Sequence, residues 1–113
     1  MTAKNLLTTS PPFEVESALK NLGRNLRTAR LRRNLTIAEV AERIGTGPRP
    51  IGDAERGKPT TSAAVYVALL WAYNLVDQLD PVAAPDSDEQ GLALIDTRQR
   101  SRSHDKNRLD NDF

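Results

Sequence analysis

The chain has 113 residues, a net charge of +1, no cysteine and a single histidine, His104. That length suits one domain. The missing cysteines exclude a disulfide scaffold, a thiolate metal site and a cysteine nucleophile, and one histidine is too few for a metal cluster or a catalytic triad.

The near-neutral total hides charge blocks. Residues 20–58 hold ten Lys/Arg against four acids (+6), residues 59–97 hold six acids and no base (−6), and residues 98–113 hold five bases against three acids (+2). A basic block of this size points to a polyanionic partner; the plain alternative is a solvated helix face. The longest nearly apolar run, Ala63 to Tyr73, is too short for a bilayer, which needs about 20 residues. Without a basic-then-apolar start the expectation is a cytoplasmic protein away from the membrane, nucleoid-associated when it holds DNA.

In chain order, residues 1–15 contain Thr8, Thr9, Ser10, Pro11 and Pro12 and are expected to form a flexible N-terminal arm. Residues 16–79 carry the helical periodicity. A first helix is predicted from about Ser17 to Arg33, with Leu19, Leu22, Leu26 and Ala29 at helical spacing. A second opens at Thr36, where T-x-x-E with Glu39 makes a capping box; Ile37, Val40, Ala41 and Ile44 form its stripe and Gly45 ends it. A third runs from about Pro48 to Arg56 and stops at Gly57.

A fourth runs from about Ser62 to Asn74, with a last turn over Leu75 to Leu79. This helix is apolar nearly all round. Val65, Ala68, Leu69 and Ala72 make one face. Val67, Leu70 and Trp71, edged by Asn74, make a second, expected to be a dimer or partner interface unless the chain covers it itself. Residues 80–90 read as an acidic, Pro-rich linker. Residues 91–113 read as a short apolar island, Gly91 to Thr97, followed by a polar flexible tail. The expected fold is all-α, a compact domain of four to five helices.

The second and third helices and their tight connection form residues 36–58. Small Ala41, Gly45 at the turn and Ile51 beyond it suit two helices that cross closely, a helix-turn-helix pattern whose second helix enters the major groove of DNA. The fuller pattern resembles the DNA-binding domain of the phage-repressor, Cro and xenobiotic-response-element regulator family. The matching residues are Leu26, Arg30, Leu35, Thr36, Ala38, Glu39, Val40, Ala41, Ile44, Gly45, Ile51, Glu55, Gly57 and Lys58.

The resemblance implies an ion pair between Arg30 and Glu55, tying the first helix to the end of the third. It places Thr36 at a phosphate and puts Pro48, Arg49, Gly52 and Asp53 at base-reading positions. Ile37 stands where the family often has a glutamine, and it cannot donate a hydrogen bond. Arg49 is the strong base reader, able to pair with guanine O6 and N7; Asp53 accepts from a cytosine amino group but repels phosphate. Arg32, Arg33, Arg43, Arg56 and Lys58 are the expected phosphate contacts. The sparse reading head leaves two readings: an operator binder that relies on the DNA backbone and shape, or a helix-turn-helix fold turned to protein binding.

Residues 67–94 further resemble HipB-type antitoxins encoded beside HipA-type kinase toxins. In those, a leucine-rich turn (here Leu75 to Leu79), an acidic D-P linker (Asp80-Pro81), a G-L-A-L island (Gly91 to Leu94) and a basic tail (Arg98 to Arg108) follow the domain. The tail here departs from the pattern by carrying Asp105, Asp110 and Asp112. The resemblance implies a homodimer that holds double-stranded operator DNA, represses its own operon and binds a HipA-like kinase toxin. Leu92, Leu94 and Ile95 are toxin-binding candidates, with folding back onto the domain as the alternative. A stand-alone repressor and a pure protein-binding module are the competing readings. No cofactor is expected and an enzyme is the least favoured class, since no carboxylate pair, phosphate loop or nucleophile–base set is visible.

Overall fold

A computed structural model describes the backbone of residues 5–111 and the side chains of residues 5–103. His104, Asp105, Arg108, Asp110 and Asp112 fall outside the described side chains. Among the described residues the secondary structure is entirely helical: α1 (Leu6–Thr9), α2 (Phe13–Arg32), α3 (Ile37–Ile44), α4 (Pro48–Glu55), α5 (Ala63–Ala72), short 3-10 turns at Val76–Leu79 and Pro85–Ser87, and α6 (Glu89–Asn111). The all-α expectation holds. The chain divides into two units, Met1–Asp77 and Gln78–Phe113.

In the first unit, the segment expected to be a loose arm carries α1, opened by Asn5, whose side chain accepts from the Leu7 N–H at 3.1 Å. Helix α2 begins at Phe13, four residues before the predicted start. Pro12 stands at its N-cap in extended conformation, and Glu14 and Glu16 in the first turn complement the helix dipole, as Arg30 and Arg32 do in the last. The earlier start follows from these acids, which favour the helix N-terminus. Gly23, Leu26, Ala29 and Arg30 are the buried residues of α2.

Helix α3 opens on the predicted capping box. The Thr36 hydroxyl accepts from the Glu39 N–H and the Glu39 carboxylate accepts from the Thr36 N–H, both at 3.1 Å. It closes at Gly45, left-handed at φ 78°, where the Thr46 N–H reaches back to the Ala41 carbonyl. Pro48 opens α4, where a missing N–H is harmless. Ile51 and Ala54 of α4 are fully buried. Helix α4 ends before Gly57, at φ 70°, with the Lys58 N–H bonded to the Asp53 carbonyl at 3.0 Å.

Two glycines let α2 lie against α4 at backbone distance. A Cβ on Gly23 would stand 2.5 Å from the Ala54 carbonyl oxygen and 2.6 Å from that of Glu55. One on Gly57 would stand 2.7 Å from the carbonyl of Leu19. No methyl fits in either place.

Helix α5, capped by Ser62, fills the remaining core with Tyr66, Leu69, Leu70 and Tyr73. This corrects the predicted faces. Leu70, expected on an outer interface, is 6% exposed and belongs to the core. The stripe is 66–69–70–73, and the two tyrosines close it because their rings are apolar bodies with a polar tip. Asn74, expected at the edge of that interface, stands at φ 60° and ends the helix, with the Leu75 N–H returning to the Leu70 carbonyl at 2.7 Å. Val67 and Trp71 do lie outside, 41% and 59% exposed.

In the second unit, the predicted island and the tail as far as Asn111 form one helix, α6. Gly91 is its only glycine, no proline interrupts it, and charged and amide residues predominate in its second half. Asp88 caps it by accepting from the Gly91 N–H at 3.0 Å. Leu92, Leu94 and Ile95 are all exposed. Helical geometry puts Leu92 and Ile95 on one face and separates Leu94 from them, so the three do not form a single patch.

Candidate nucleic-acid interface

Helices α3 and α4 pack against each other, and α4 against α2 and α5. The inner side of α4, Ile51 and Ala54, is sealed in the core. Its outward side carries Pro48 and Arg49, exposed in the first turn, and Gly52 and Asp53, part-covered in the second. Arg49 makes no ion pair or hydrogen bond with any described residue, so its whole fork of donors is available.

The frame behind this surface is the Arg30–Glu55 pair. Arg30 Nε donates to Glu55 Oε2 at 2.7 Å, Nη2 to Oε1 at 3.0 Å, and Nη1 to the Leu35 carbonyl at 2.9 Å. Both side chains are nearly sealed from solvent, 9% and 6% exposed. The hydrogen bonds to Glu55 raise the Arg30 pKa against the opposing effect of burial. One bidentate pair thus fixes the end of α4 to α2 and to the entrance of α3.

At the α3 entrance Thr36 keeps its predicted place, but its own N–H is engaged by Glu39. The backbone and side-chain hydrogen bonds from Thr36 hold the Glu39 carboxyl below the ordinary carboxylate range. What remains for an anion is the Ile37 and Ala38 amides, which have no intrahelical acceptor.

Several expected phosphate contacts have other partners. Arg33 donates to the Ala29 carbonyl at 3.0 Å and the Tyr73 carbonyl at 2.9 Å, with its guanidinium 5.6 Å from the Tyr73 ring centre. Arg43 donates to the Ala72 carbonyl at 3.4 Å. The last carbonyls of α5 lack intrahelical donors and sit at the negative end of its dipole, so these two arginines serve as caps. Arg33 thereby staples α2 to α5, which occupies part of its guanidinium, while exposed Arg43 keeps donors to spare.

Asp53 is engaged on one oxygen: Oδ1 lies 2.6 Å from Arg56 Nη2 and 3.5 Å from Lys58 Nζ. Gly52 leaves room beside it, since a methyl at that position would meet nothing closer than the Arg56 guanidinium at 3.4 Å. Arg24, Arg27 and Arg32 lie exposed on α2 without ion pairs to described residues.

The residues missed in the sequence are Gly23, whose missing side chain sets the α2–α4 distance, and Tyr73, which underlies Arg33. Gly23 carried a signal, a glycine inside a helical run, which is tolerated mainly where something packs close.

No curated protein and no solved structure matches the chain. Residues 21–81 match the family model of a helix-turn-helix domain, which supports a DNA-binding regulator and spans more than half of the 113 residues. The chain belongs to this helix-turn-helix domain family.

Proposed function

We propose that the protein is a dimeric operator-binding repressor that also acts as the antitoxin of a HipA-like kinase, with α4 as the reading helix. The observation that carries the DNA-binding part is Arg49: exposed, unpaired among described residues, and on the first turn of a helix whose opposite face is locked into the core. Exposed Thr36, Arg43, Arg56 and Lys58 support the backbone contacts. Exposed Val67 and Trp71 on α5 support a dimer seam. The resemblance of residues 67–94 to HipB-type antitoxins supports the kinase partner, with Leu92 and Ile95 as its first contacts and Leu94 on another face. The protein then works in the cytoplasm, on the nucleoid when DNA-bound, without a cofactor.

Two experiments test this. An operator is selected from a random duplex pool, and Arg49→Ala is compared with the wild-type chain on single-base variants of it. Loss of one guanine contact is expected to lower affinity about 5- to 150-fold and to abolish preference at that one position. An unchanged profile would remove Arg49 from base reading and favour the protein-binding module. The second is capture of the tagged protein from its native cells through a high-salt wash, which strips DNA-bridged passengers. A kinase-like protein in near-equal amount is the expected result; recovery of the protein alone would favour a stand-alone repressor.

A further inference from the structure

Asp53, Arg56 and Lys58 form one charge cluster where α4 ends. Asp53 Oδ1 takes both cations, at 2.6 Å and 3.5 Å. The carboxylate is the covered member, its side chain 19% exposed against 64% for Arg56 and 47% for Lys58. The backbone repeats the tie, since the Lys58 N–H donates to the Asp53 carbonyl at 3.0 Å. Arg49, one turn earlier on the same helix, has no such acid. The cluster therefore presents two cations to solvent around one fixed anion, a net charge of +1 where the outer surface shows +2.

We infer that Asp53 is a positioning residue that acts as a built-in counterion, competing with DNA phosphates for Arg56 and Lys58 and holding down sequence-independent affinity. This rests on the DNA-binding reading above. Non-specific affinity arises from the release of mobile counterions when cations meet phosphates. A cation already neutralised by a tethered carboxylate brings no net charge to a phosphate and so displaces no condensed cation from the DNA, and the carboxylate itself repels the phosphate. The cluster then yields one phosphate contact's worth of affinity, not two. Arg49, away from the cluster, keeps its full reach to a base.

The test uses the full chain and a mixed-sequence 30-base-pair duplex, titrated by fluorescence anisotropy across a salt series. Asp53→Asn keeps the shape and removes the charge. It is expected to bind more tightly at low salt, with the slope of log affinity on log salt steeper by about 0.9. The gain should shrink about 3.5-fold between roughly 50 and 200 mM salt. An unchanged or shallower slope in a folded variant, checked by thermal unfolding, overturns the inference. If Asp53→Asn fails to fold, Asp53→Ser, equally neutral and smaller, decides. It should steepen the slope by about 0.9, and an unchanged or shallower slope overturns the inference. Absence of wild-type binding even at low salt would instead refute the DNA-binding reading itself.

Discussion

Replacing Gly23 with alanine tests the close approach of α2 and α4. On helix propensity alone the change should help, because alanine in a helix interior is favoured over glycine by about 1 kcal/mol. The structure reverses the sign. The new methyl would lie 2.5 Å and 2.6 Å from two backbone carbonyl oxygens, where ordinary contact begins near 3.4 Å. Those carbonyls belong to Ala54 and Glu55, and the Ala54 oxygen already accepts from the Gly57 N–H at 2.9 Å, so it cannot swing aside. The helices must part by most of an ångström, beside the buried Arg30–Glu55 pair. Overpacking of this kind costs about 1–3 kcal/mol, and backbone partners put it at the upper end. After the propensity gain, a net loss of about 1–2 kcal/mol remains, or a fall in Tm of about 5–15 °C for a domain of this size. Gly52→Ala is the control, since its methyl would meet only the movable Arg56 guanidinium at 3.4 Å. It should leave Tm unchanged or raise it. Both variants are measured by calorimetry in one buffer. A Gly23→Ala protein as stable as the wild type, or more so, would refute the idea that glycine is there for closeness.

Two further predictions concern the buried polar groups. Glu55→Gln leaves the sealed Arg30 guanidinium without its counter-charge and should cost about 3 kcal/mol, seen as a lower denaturant midpoint with an unchanged m-value; a loss under about 1 kcal/mol would show the pair to be ornamental. Burial pushes the Tyr73 phenol up to about 12, above an ordinary value of about 10. Its stabilising effect is therefore complete below about pH 10 and lost as pH rises to about 12, a term of about 3 kcal/mol. The Tyr73 hydroxyl also has no hydrogen-bond partner among the described residues. Tyr73→Phe should thus match or exceed wild-type stability at pH 7 by up to about 1 kcal/mol and unfold less readily above pH 10. A less stable variant at pH 7 would contradict the unpaired hydroxyl.

Local rules served the helices well where the signal was local. The Thr36–Glu39 box and Gly45 lie within one short helix and bound α3 as predicted. The faces of α5 were harder. Counting Val65, Ala68, Leu69 and Ala72 as the apolar stripe left the tyrosines outside, and on a helix apolar all round no periodicity separates core from surface. Tyr66 and Tyr73 win the core positions because an aromatic ring buries more area than alanine, with burial of the Tyr73 hydroxyl as the cost. The second unit misled for the opposite reason. A polar stretch without an apolar stripe reads as tail, yet nothing in α6 forbids a helix.

The candidate site was legible in charge but not in allocation. Ten bases between residues 20 and 58 suggested a broad phosphate-binding face. Charge count cannot tell a cation aimed at DNA from one closing a fold, because the partner stands far along the chain. Arg30 meets Glu55 25 residues on, Arg43 meets the Ala72 carbonyl 29 residues on, and Arg33 meets the Tyr73 carbonyl 40 residues on. A helix end needs donors as surely as DNA needs cations, and α5 has no basic residue in its last turn to supply its own. Arginines from α2 and α3 fill that need. What is left for the outer face is narrower than the sequence total: Arg49 alone and unrestrained, Arg56 and Lys58 around a shared acid, Arg24, Arg27 and Arg32 on α2, the spare donors of Arg43, and the amides at the entrance of α3. On the proposed reading, such a surface depends on how α4 is placed as well as on charge, and the glycine contact and the sealed ion pair behind α4 are what hold that placement.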